Sequence, residues 1–108
     1  MLRRGVAARE GASRVGEIVV DPARRKVWVG EREVALSNKE FGLLRVLAAD
    51  PTRVFTKREL LEAVWGYRGP GNTRTLDSHA SRLRRKLDPE HGRYVVNCWG
   101  YGYRLIDG

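Results

Sequence analysis

Cysteine is nearly missing: Cys98 stands alone, so no internal disulfide can form and the fold has to hold without covalent staples, as suits a reducing compartment. Long apolar runs are missing too, and the stretches present fall far short of the ~20 residues that a membrane-crossing helix needs. The opening segment MLRRGVAAREGASR is basic but lacks the apolar core of a secretory signal, so a cytoplasmic location is expected and no membrane partner. Acidic residues are in deficit, with 13 Asp plus Glu against 21 Lys plus Arg and a formal net charge of +8. That imbalance favours a polyanionic partner. Metal-ligand spacing is absent, since Cys98, His79 and His91 form no familiar set, and neither a metal nor a cofactor is expected. GYRGPG and WGYGY lack the strand–GxxxxGK–helix setting of a phosphate loop. Asp77, Ser78 and His79 spell the letters of a hydrolytic triad, but consecutive residues of a helix point about 100° apart and do not face one another. No enzyme is expected.

What is present is order. Residues 1–13 carry Gly, Ala, Arg and Ser without a period and read as a flexible basic arm or linker, with one folded domain over 14–107. VGEIVV, RKVWV and EVAL are short β-rich runs separated by turn-like DPAR and GERE, which predicts a small antiparallel sheet. Ser37-Asn38-Lys39-Glu40 and Thr56-Lys57-Arg58-Glu59 are both capping boxes. The first precedes a Phe41, Leu44, Leu47, Ala48 stripe stopped by Asp50-Pro51. The second precedes Leu60, Leu61, Val64 and Trp65 and ends at Gly66. Trp28, Trp65 and the Phe41 stripe are read as core. A breaker-rich loop, GYRGPGN, follows.

The segment TLDSHASRLRRKL then places Leu76, Ala80, Leu83 and Leu87 on one helical stripe. Ser78, Ser81, Arg82 and Arg85 point the opposite way. Asp77 and Arg84 flank the stripe on one side, His79 and Lys86 on the other. Asp77 is read as an early acid favourable to the helix dipole, and Asp88-Pro89 ends the helix. YVVNCWGYGYRL closes the chain as a β-hairpin spanning about 94–105. Sheet, three helices and hairpin, with the last helix basic, form the layout of a winged helix-turn-helix, an α+β fold in which an α-helix suits the major groove of DNA and a two-stranded wing suits an adjacent minor groove.

Four motifs taken together, E-F-x-L-L from Glu40, L-L-x-x-V-W-G from Leu60, R-T-x-D-x-H-x-x-x-L-R-x-K-L from Arg74 and G-x-G-Y-R from Gly100, resemble the effector domain of OmpR/PhoB-family response regulators. The resemblance spans about residues 16–106. It implies a four-stranded N-terminal sheet, helix 74–87 in the major groove and hairpin 94–105 as wing. It further implies transcription regulation through sequence-specific binding of double-stranded DNA at direct-repeat promoter sites, usually as a head-to-tail dimer. By position, Ser78, Ser81, Arg82 and Arg85 match the base-reading set; Lys57, Trp65, Arg74, Thr75, His79 and Tyr103 match positions that touch the DNA backbone or nearby bases. The loop 66–72 corresponds to the segment through which activators of the family contact RNA polymerase.

Two departures stand out. Trp99 occupies the wing-tip position where the family commonly carries Arg; it cannot supply that charge to the minor groove, and is expected instead either to pack on sugars or to fill the base of the wing. The 108 residues hold no phosphorylatable receiver, so the chain is expected to be the output domain of a two-component response regulator or an orphan regulator. A winged helix can also serve as a protein–protein interaction module. Such a face should expose large apolar residues, whereas the third helix presents Ser, Ser, Arg and Arg.

Overall fold

In the computed structural model, which describes residues 13–66 and 73–106, the chain opens with a four-stranded antiparallel meander. Its strands are β1 (Ser13–Val15), β2 (Ile18–Asp21), β3 (Lys26–Val29) and β4 (Arg32–Val34). The run VGEIVV, expected as one strand, is split: Val15 pairs with Ile18, so Gly16-Glu17 form a two-residue hairpin turn. One face of the meander is apolar. Ile18 opposes Val29, Val20 opposes Val27 and Val27 opposes Val34, and all five are buried, because directly opposed residues of antiparallel strands share a face. Trp28 alternates to the other face and is only half-buried, so it stands outside the core expected to hold it.

Helix α1 (Asn38–Ala49) starts at the expected capping box: Ser37 Oγ accepts from the Glu40 amide and Glu40 Oε1 accepts from the Ser37 amide. It ends at Asp50. A two-residue strand β5 (Phe55–Thr56) follows, which no run in the sequence announces. Helix α2 (Lys57–Leu60) carries the second capping box and continues as a π-helical turn, Leu61–Trp65, closed by Gly66. Lys39 Nζ donates to the Val64 carbonyl at 3.0 Å, satisfying one of the carbonyls left open at that end.

Helix α3 (Thr73–Leu87) buries Leu76, Ala80, Leu83 and Leu87 completely, as the stripe predicts. They join Phe41, Leu43, Leu44, Leu47, Leu60 and the sheet valines in one cluster. The hairpin strands β6 (Val96–Cys98) and β7 (Gly102–Arg104) complete a second sheet in the order β5-β7-β6. The wing is therefore not a free hairpin. Phe55 pairs with Tyr103 and Thr56 with Gly102, which ties β7 to the entrance of α2.

The two glycines of G-x-G-Y-R serve different needs. Gly100 has φ +86° in a turn closed by the Tyr101 amide on the Cys98 carbonyl at 2.9 Å, the positive φ that a type II turn asks of its third residue. Gly102 is needed for space: a Cβ there would stand 1.8 Å from the Phe55 carbonyl oxygen.

Candidate nucleic-acid interface

The second half of α3 carries four cations, and the fold uses two of them. Arg84 Nε donates to the Val95 carbonyl at 3.3 Å, holding the approach to the wing. Lys86 Nζ lies 2.7 Å from Glu40 Oε1, tying the end of α3 to the start of α1. Glu40 is almost wholly buried. Burial pushes its carboxyl up, but hydrogen bonds from Lys86 and Ser37 and the Lys86 charge outweigh this and hold it below the usual carboxylate range. Arg32, on β4, donates to the carbonyls of Lys86 and Leu87 at 3.2 and 3.0 Å. It thereby places a cation at the negative end of the α3 dipole. Arg82 and Arg85 remain. Both are exposed, and among the described residues neither makes a hydrogen bond or ion pair within the fold.

Ser78 and Ser81 are exposed beside these arginines. Together with Arg74 and Asp77 they line a shallow, open concavity of about 420 Å³ along α3. The outward set read from helical phase thus shares one surface, and no large apolar side chain interrupts it.

The flanks of α3 hold its neighbours. On the wing side, Asp77 accepts from the Tyr103 hydroxyl at 2.7 Å and pairs with Lys57 Nζ at 3.3 Å. Asp77 lies beyond the first turn of the helix, so the expected dipole role gives way to this bridge. Tyr103 is buried, and burial with the adjacent Asp77 carboxylate pushes its phenol well above the usual range. Its hydroxyl proton is committed to Asp77. On the opposite flank, His79 meets the Trp65 ring edge-to-face at 5.1 Å and donates from Nδ1 to the Thr75 carbonyl at 2.8 Å, which turns Nε2 away from the helix backbone. Trp65 is half-buried and also packs on the core.

Lys57 lines a second concavity of about 460 Å³ with Thr56, Arg58, Gly100 and Tyr101, where the entrance of α2 meets the wing tip. Arg58 and Tyr101 were not among the expected site residues. Arg58 follows Lys57 directly and Tyr101 borders the turn glycine, so the signal was adjacency, but nothing local shows that β5 brings the two together. Trp99 sits at the turn and is 83% exposed, and Tyr101 is 71% exposed. The arm at 1–13 lies outside the described residues except for Ser13, and the loop 66–72 lies outside them except for Gly66. Among the described residues no cluster of His, Cys, Asp and Glu is arranged to hold a metal, and no helix is long and apolar enough to cross a membrane.

Residues 31–105 match the family described as "Transcriptional regulatory protein, C terminal". The DNA-binding response regulator MtrA of Mycolicibacterium smegmatis is 41% identical over 92 residues, covering 83% of this chain and 40% of that protein. The chain thus spans about two fifths of the length of the curated relatives it matches. Among solved structures, the RstA DNA-binding domain of Klebsiella pneumoniae, in complex with the RstA box, superposes with a TM-score of 0.81 at 28% identity, covering 92% of this chain and all of that one. The AdeR DNA-binding domain, in complex with an intercistronic region, gives 0.77 at 30% identity over 88% of this chain and 99% of that one. The fold, the family match and these relatives agree: the chain belongs to the OmpR/PhoB-type C-terminal DNA-binding domains of transcriptional regulatory proteins.

Proposed function

We propose that this chain binds specific double-stranded DNA sequences to regulate transcription, with α3 lying in the major groove. The observation that carries this reading is the division of the α3 cations. Arg84 and Lys86 are spent on the fold, while Arg82 and Arg85 stay free beside Ser78 and Ser81 on one continuous surface. A guanidinium pairs with guanine O6 and N7 together, so Arg82 and Arg85 are the base readers, and the two serines accept or donate at short range. Lys57, Arg74, Thr75, His79 and Trp65 border this surface and serve phosphates. Tyr103, also expected at the backbone by position, supports the site from within: its hydroxyl holds Asp77, which in turn aims Lys57.

The chain acts as the output part of a response regulator in the cytoplasm. Its copies sit head-to-tail on direct repeats, and the segment 66–72 faces RNA polymerase. Support for these last points comes from family position alone.

Selection of bound duplexes from a random pool tests the reading. It should return one half-site, repeated in direct orientation at a fixed spacing. With roughly four to six phosphates neutralised per domain, log K against log salt should slope near −4 to −5. A slope near zero with no enriched sequence would overturn DNA binding.

A further inference from the structure

Two aromatic side chains at the wing tip are the only large apolar groups that the described part of the fold leaves in solvent: Trp99 at 83% and Tyr101 at 71% exposure. Nothing in the fold needs them there. The turn itself is set by Gly100 and the Tyr101 backbone amide, neither of which depends on either ring. Exposed aromatics of this size mark contact surfaces rather than packing.

Their neighbours restrict the occupant. Tyr101 shares its concavity with Thr56, Lys57 and Arg58, so an apolar face stands directly beside two cations and a hydroxyl. A bare anion would use the cations and waste the rings. An apolar protein surface would use the rings but leave Arg58 unmatched and desolvate the Lys57–Asp77 pair. A deoxyribose–phosphate strand satisfies both, since it offers a charged phosphate and an apolar sugar edge a few ångströms apart. The same hairpin is tied to α2 through β5 and to α3 through Tyr103 and Asp77, so the tip is held at a set distance from the major-groove helix.

We infer that Trp99 and Tyr101 form an apolar clamp on the sugar edges of the minor groove flanking the α3 site, with Lys57 and Arg58 on the adjacent phosphate. The clamp rests on the DNA-binding reading. It replaces charge at the wing tip by contact area: the tip adds affinity that salt does not screen, and it adds little base preference, because sugars carry no sequence.

The test compares the wild-type chain with Trp99→Ala and Lys57→Ala on the selected duplex and on a random duplex, each over a salt series. Trp99→Ala should lose about 5–30-fold in affinity on both duplexes, in line with aromatic contacts to nucleic acid, with its salt slope unchanged. Lys57→Ala should flatten the slope by about one unit. The tryptophan emission change on binding, large in the wild type, should shrink in Trp99→Ala. Thermal melts of Trp99→Ala should match the wild type, since the ring has no packing to lose. Wild-type affinity in Trp99→Ala overturns the clamp while leaving α3 binding intact. Loss of cooperativity between tandem sites with unchanged single-site affinity also overturns it and gives the tip to a neighbouring copy. No duplex binding by the wild-type chain overturns the clamp together with the reading beneath it.

Discussion

Arg82 and Leu83 are consecutive in the chain, yet one is exposed and the other has 0% of its area in solvent. Substitution should separate their duties. Leu83→Ala removes buried methyl groups and leaves a cavity among the α1 and α3 leucines, so it should cost about 2–5 kcal/mol of folding stability in urea or thermal unfolding. Arg82→Ala and Arg85→Ala should leave stability almost unchanged and each cost about 1–3 kcal/mol of binding to the best site, with preference relaxed at particular base pairs. Arginine variants that lose selected and random DNA equally would reduce these side chains to phosphate contacts. Trp99→Arg offers a companion reading at the tip. A guanidinium there should steepen the salt slope by about one unit and introduce a preference for A·T pairs beside the site, where the minor groove narrows.

At the scale of elements, the wing depends on a single missing atom. Gly102→Ala places a Cβ 1.8 Å from the Phe55 carbonyl oxygen, so β5 and β7 have to part or the hairpin has to slide. The expected cost is about 3 kcal/mol or more, with weakened DNA binding as Lys57 loses its position; a melt and a binding curve on the same preparation check both. Much of this architecture was legible beforehand. The stripe of α3, both capping boxes, the stop at Asp50 and the stop at Gly66 are local patterns, and local patterns are written in neighbouring residues. The flanks of α3 were legible as directions but not as partners: helical phase puts Asp77 with Arg84 and His79 with Lys86, while Tyr103, Val95, Trp65 and Glu40 lie 11 to 46 residues away along the chain. β5 escaped because two residues have no period. Trp28 was misplaced because bulk alone does not say which face of a strand a side chain takes.

The whole molecule joins its parts at charged seams, and one of them should fail in acid. The loop after α3 is organised on the Asp88 carboxylate, which accepts from the His91 amide at 3.2 Å and from the Arg93 amide and Nε at 3.2 and 2.6 Å. The Arg93 hydrogen bond, opposed by burial and aided by the two amides, holds Asp88 down to about 2. Because the folded value lies below the ordinary 3.8, the stabilisation is complete above about pH 4 and is lost as the pH falls from there toward 2. Asp88→Asn should lower stability at neutral pH and flatten its fall between pH 4 and 2, read from urea midpoints at several pH values; parallel curves for variant and wild type would show that the carboxylate carries no such share. The other seams, Glu40 with Lys86, Arg32 with the last carbonyls of α3 and Asp77 with Tyr103, all grip the helix from its flanks or its far end. None reaches Ser78, Ser81, Arg82 or Arg85. These four positions can therefore change identity without any debt to the scaffold, and under the proposed reading an exchange of that handful of side chains would redirect the chain to another DNA sequence while every joint stays as it is.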